Sequence, residues 1–135
     1  MLQAYSSNLT MAANAAFPFN NVTVDKGCAE NLSAPASIQL NARGVYLVEV
    51  DGFATGGAGP DTIQLYVNGT AYPQAISSFT AAADTISPFS FKTLIQVAEN
   101  NCPCNCTTSP TVLQVQNGDV ALTDAHINFI VTKLR

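Results

Sequence analysis

The sequence predicts an all-β fold, a sandwich of short antiparallel strands, and three observations carry that prediction. Runs of β-branched and aromatic residues recur along the chain, clusters of Gly, Asn, Pro and Asp separate them, and no long stretch has helical periodicity. At 135 residues the chain has the length of one domain and can bury a core without metals or cross-links. The expected organisation is therefore a single domain over residues 1–135, with residues 1–16 serving as an N-terminal arm or first strand.

The elements follow in order. An extended piece covers residues 17–24, and a loop then runs to Pro35. Residues 37–40 make a short strand and residues 44–53 a strong one. Gly56-Gly57-Ala58-Gly59 marks a loop, because turns need the positive φ angles that glycine supplies. Residues 62–67 alternate, Asn68-Gly69 is a hairpin turn, and residues 71–79 return from it. The alanine-rich residues 80–83 are too few to nucleate a helix alone. In residues 89–97, Phe89, Phe91, Ile95 and Val97 share one face while Ser90, Lys92 and Gln96 lie on the other. Residues 111–116 form a strand, Asn117-Gly118 a turn, and residues 120–122 a short strand. The last strand, 125–134, points Ile127, Phe129 and Val131 one way and His126, Asn128, Ile130 and Thr132 the other. Eight to ten strands in this order suggest a two-sheet antiparallel jelly roll.

Composition narrows the function classes. Charged residues make up 10% against the roughly 25% usual for soluble domains. A surface this poor in charge is covered by other chains, kept wet by Asn, Gln, Thr and Ser, or both. The net charge is −4, and the five basic residues, Lys26, Arg43, Lys92, Lys133 and Arg135, are scattered along the sequence. Phosphate neutralisation needs a clustered basic footprint, so nucleic acid is not an expected partner. No segment approaches the roughly 20 apolar residues of a membrane span, so no membrane insertion is expected. The opening Met1-Leu2-Gln3-Ala4-Tyr5 lacks the basic start and apolar run of a signal peptide, and an outside location would be reached by another route.

Catalytic chemistry finds no footing. His126 is the single histidine and reads as a packed or surface residue. Glu49 and Asp51 share a strand face and read as a solvated strand end. Neither a Gly-x-Ser-x-Gly elbow nor a phosphate-cradling loop opening a helix occurs. The glycine loop at residues 56–59 joins two strands and has no helix dipole to hold a phosphate. No catalytic residue, no cofactor-binding residue and no cofactor is expected. Asn-x-Ser/Thr triplets at Asn8, Asn21, Asn31, Asn68 and Asn105 read as chance in a chain rich in Asn and Thr.

Phe19-Asn20-Asn21-Val22, followed after about twenty residues by Gly44-Val45-Tyr46-Leu47-Val48, resembles the opening signature of C1q-like domains in the C1q and tumour-necrosis-factor group. In that signature an aromatic followed by Asp or Asn precedes a strand beginning Gly-x-Tyr-x-aromatic; here Val48 stands at the second aromatic position. The glycine-rich loop, the Leu65-Tyr66-Val67-Asn68-Gly69 hairpin and the closing strand follow in the family's order. The resemblance implies a homotrimer with one sheet packed around a threefold axis. Strand 44–50 is apolar on both faces, the pattern of a strand buried on both. Phe17, Phe19, Tyr46 and Ile130 are the candidates for the shared interface.

Cys-Pro-Cys-Asn-Cys in a loop is similar to bacterial spore-surface and phage tail or head-fibre members of the group. The function so implied is a non-enzymatic structural or adhesive module on a virion or spore surface. Its partners would be its own copies and a surface receptor, a glycan or a neighbouring coat protein. A lectin-like sugar-binding protein is the alternative, with Asp61, Asp84 and Glu99 as oxygen donors for calcium, although no spacing among them supports a site.

Cys102, Cys104 and Cys106 at alternate positions would point three thiols one way. Structural zinc favours two residues between paired ligands, and this spacing with one distant Cys28 matches poorly. In a jelly roll the loops holding Cys28 and Cys102–Cys106 lie at one end, so Cys28 is expected to pair with one of the three in an oxidising setting. Free thiols, or a metal on Cys102, Cys104 and Cys106, remain the alternatives.

Overall fold

The computed structural model describes residues 1–98 and 110–135. Among the described residues ten strands are formed: β1 (Leu2–Met11), β2 (Asn21–Asp25), β3 (Glu30–Ala34), β4 (Ser37–Leu40), β5 (Gly44–Ala54), β6 (Gly59–Val67), β7 (Thr70–Ala81), β8 (Ser87–Val97), β9 (Thr111–Asn117) and β10 (Leu122–Lys133). They build two five-stranded sheets in the orders β2-β1-β10-β5-β8 and β3-β4-β9-β6-β7, and every named pairing is antiparallel. The result is the expected jelly-roll sandwich. No helix among the described residues is long and apolar enough to cross a membrane.

Alternation decides which side chains meet between the sheets. Tyr46, Val48 and Val50 of β5, Ile127, Phe129 and Val131 of β10, and Phe89, Phe91, Ile95 and Val97 of β8 face Ile38, Leu40, Ile63, Leu65, Leu113 and Val115 of the second sheet in one apolar core. The predicted faces of β8 and β10 are those observed.

Residues 1–16, expected as an arm or first strand, hold strand β1, and three other elements differ from the sequence reading. β1 is a full strand whose inward positions include Ala4 and Ser6, so its alternation carries little hydrophobic signal. Ser6, fully buried, donates to the Pro18 carbonyl at 2.7 Å and accepts the Asn20 N–H at 2.7 Å, pinning the crossing between β1 and β2. β3 occupies part of the predicted loop, and its Glu30, Asn31 and Ser33 conceal it. The two closing strands are one, β10, which passes Asp124 at φ 48°. Residues 17–19 are not strand. Phe17 N–H donates to the Val115 carbonyl at 2.8 Å and Phe19 N–H to Pro35 at 2.6 Å, which drops both rings between the sheets.

That placement encloses three of the interface candidates within the chain itself. Phe17, Phe19 and Tyr46 have 0%, 2% and 0% exposure within a single chain, so their apolar surface is already used in its own core. Phe17 packs at 6.0 Å from Phe89, and Phe19 edge-on at 5.5 Å from Phe129. Ile130 alone of the four points outward, half-buried on β10.

Candidate functional site

The two sheets present unlike outer faces. On the second sheet the outward positions are mostly polar, Ser37 and Gln39 of β4, Gln114 and Gln116 of β9, Thr62 and Gln64 of β6 and Ser78 of β7, with Val112, Tyr66 and the 42% exposed Ile76 among them. The first sheet differs. Leu47 of β5 is paired with Leu94 of β8 on one side and Thr132 of β10 on the other, and Ile130 lies against Glu49. Leu94 is 53% exposed and Phe53 is 36% exposed. Phe53 stacks on His126 with centroids 5.3 Å apart and planes at 14°, and Tyr5 lies 6.3 Å from the same imidazole. His126 therefore sits in an aromatic row on this face. Glu49 and Asp51, on the same face, are engaged with Lys92 at 3.6 Å and Asn128 at 3.2 Å, as a solvated strand face requires.

A feature the linear sequence hides lies at one end of this sheet. Arg43, Lys133 and Arg135 line a single hollow of about 580 Å³ together with Gly44, Val45, Gln96, Val97 and Ala98. Three of the chain's five cations thus converge where β5 begins and β8 and β10 end. Gly44 makes the convergence possible. It holds φ +149°, and a Cβ there would meet the Arg135 carbonyl oxygen at 1.9 Å and the Lys133 Cε at 2.9 Å. The Leu134 N–H donates to the Val45 carbonyl at 2.7 Å and carries the pairing past β10. The scattered spacing along the chain concealed this cluster, and only the pairing of strand ends would have exposed it.

Among the described residues Tyr46 and Asp61 are the perturbed groups. The Tyr46 hydroxyl donates to the Ala42 carbonyl at 2.6 Å and lies 3.3 Å from that of Ala29. Burial pushes its pKa up to about 12; the Ala42 bond opposes that shift and the nearby Glu30 carboxylate adds to it. Glu30 is itself buried and meets the Met1 ammonium. Asp61 is 4% exposed, accepts the Thr62 N–H at 2.8 Å through Oδ1 and leaves Oδ2 without a hydrogen-bond partner. Burial raises its carboxyl above the ordinary value, backbone N–H groups of Thr62 and Val120 pull it back, and Asp119 raises it further. Asp84, by contrast, is an exposed turn residue at φ 58°. Glu99 lies outside the described residues, and among those described no group of three or more His, Cys, Asp or Glu is arranged to hold a metal.

Cys28 is disulfide-bonded. Cys102, Cys104 and Cys106 lie outside the described residues, so the partner and the metal alternative stand as expectations.

Comparison with solved structures agrees with the strand order. The globular domain of zebrafish complement 1qA matches over 99% of this chain and 96% of its own, with a TM-score of 0.70 at 8% identity. PRD1 vertex protein P5 matches over 99% and 96%, with a TM-score of 0.69 at 22% identity. The fold is that of the C1q and tumour-necrosis-factor jelly rolls. Murine APRIL, at a TM-score of 0.65 and 9% identity over 98% and 97% of the two chains, shares it as well. None of these three is named as an enzyme. No family model and no curated protein matches the chain by sequence.

Proposed function

We propose that the chain is a homotrimeric structural module of a particle surface, binding through the parts its own assembly leaves exposed. The observation that supports the trimer is the outer face of the first sheet, where Leu47, Leu94 and Ile130 and the rings of Phe53, His126 and Tyr5 point outward. The second outer face is mostly Gln, Ser and Thr, with Ile76 among them. Leu47, Leu94 and Ile130 form the centre of the contact, and Phe53, His126 and Tyr5 its other end. The low charge content fits a chain that covers much of this face with copies of itself. The likeness to a vertex protein supports a place on a virion, with a receptor, a glycan or a neighbouring coat protein as the outer partner. Nothing in the comparisons bears on a spore surface.

Light scattering behind a sizing column tests the assembly. The expected mass is that of three 14.2 kDa chains, and Leu94→Glu, a change at a position 53% exposed in one chain, is expected to return folded monomer. A monomeric parent protein removes the proposal. So does a Leu94→Glu variant that remains trimeric together with Leu47→Glu.

A further inference from the structure

We infer that the hollow lined by Arg43, Lys133 and Arg135 is a binding site for an acidic saccharide, one whose sugar carries a carboxylate or a phosphate. The inference rests on the reading of the chain as a binding module and gives that module a ligand chemistry.

The charge is out of place in this molecule. A chain of net charge −4 gathers three of its five cations around one hollow, and no acidic side chain among the described residues lines it. None of the three makes an ion pair with a described residue. Like charges so gathered repel one another, and an arriving oxyanion relieves that repulsion while gaining charge-assisted hydrogen bonds. Two guanidinium groups present planar forks that match the two oxygens of a carboxylate or phosphate, and Lys133 adds a compact ammonium.

The rest of the lining describes what the anion is attached to. Val45, Val97, Ala98 and the bare backbone of Gly44 offer an apolar floor, and the Gln96 amide offers both a donor and an acceptor. A sugar ring has the matching surfaces, with C–H groups on one face and hydroxyls at the rim. A volume of about 580 Å³ is too large for one inorganic anion and sits within the usual range for organic ligands. Among the described residues the lining contains no helix and no stacked aromatic, the features a nucleotide site would bring. In a threefold assembly the hollow would occur three times at one end of the trimer, and a repeating acidic polymer could engage more than one copy.

Isothermal titration calorimetry with trigalacturonate tests the site, with neutral maltotriose as the control and mannose 6-phosphate as the phosphate arm. Binding of either acid, absent for maltotriose, is expected, and the tighter arm identifies the anionic group. Arg43→Gln and Lys133→Gln are each expected to weaken it at least ten-fold, and Lys92→Gln, at the middle of β8 and outside the lining, to leave it unchanged. Two independent positions keep the test open should one variant fail to fold. Equal binding of maltotriose, inorganic phosphate binding as tightly as the sugar acids, or titrations indifferent to both substitutions each overturn the inference. Scattering masses on the same samples keep the two proposals apart: a monomer that binds trigalacturonate sinks only the assembly, and a trimer that binds no acid sinks only the site.

Discussion

The hydroxyl of Tyr46 reaches back four residues to donate to the carbonyl of Ala42 at 2.6 Å, in the fully buried interior of the sandwich. A phenol so placed ionises only at high pH. Its folded pKa of about 12 lies above the unfolded value of 10.0, so the native state holds the proton more tightly. The stability this provides is complete below pH 10.0 and is lost as pH rises toward about 12. Tyr46→Phe is expected to cost about 1–3 kcal/mol at pH 7 by leaving the Ala42 carbonyl unpaired. In urea melts the gap between parent and variant should narrow through the alkaline window; a constant gap from pH 9 to 12 would contradict it.

Phe17 tests whether an enclosed ring contributes to the interface. Its ring is enclosed by its own chain, so Phe17→Ala is expected to destabilise the fold by about 3–5 kcal/mol without changing the number of chains per particle where the protein stays folded. A stable variant that dissociates would return Phe17 to the interface.

Ser6 is a polar residue standing where a strand would ordinarily bury a hydrophobe. Ser6→Ala strands the Asn20 N–H and the Pro18 carbonyl, and a loss of about 1–3 kcal/mol is expected in chemical denaturation. No measurable loss would mean that water replaces the hydroxyl.

Asp61 acts in the opposite sense to a salt-bridged carboxylate. Its folded pKa is raised, so the native state binds more protons than the unfolded one and stability falls as pH rises through and above the ordinary carboxylate value. Asp61→Asn removes the buried charge while keeping an oxygen for the Thr62 N–H. The variant is expected to melt a few degrees higher than the parent at pH 7, and the advantage should shrink on acidification toward pH 3. An advantage that grows in acid would refute this account.

Cys28 gives a covalent prediction. Peptide mapping without reductant is expected to recover Cys28 joined to Cys102, Cys104 or Cys106, and reduction to lower stability by about 2–4 kcal/mol. A map in which Cys28 joins only the Cys28 of another copy would replace this pairing with a link between chains.

The sequence made the fold legible wherever inward positions are large and apolar. β5, β8 and the Asn68-Gly69 hairpin, observed with φ 51° and 80° at its two turn residues, follow from alternation and turn chemistry alone. β3 escaped, and β1 was legible only as an arm or a strand, because Asn31, Ser33, Ala4 and Ser6 carry no such pattern, and pairing with neighbours holds those strands in place. The enclosure of Phe17, Phe19 and Tyr46 within one chain has a related reason. Aromatic residues mark burial, but alternation along one strand does not say whether the covering surface belongs to the same chain. The basic hollow could not be read at all, since Arg43 and Lys133 are neighbours only through the pairing of β5 with β10.

That pairing has a consequence in time. β10 lies between β1 and β5, and Leu2 of the first strand finds its partner in Val131. A chain growing from the ribosome has made β1 and β5 long before it makes the strand that separates them. The first sheet therefore cannot close piecemeal from its N-terminal part. Its central seam, its apolar outer face and the gathering of the three cations all arrive together with the last dozen residues.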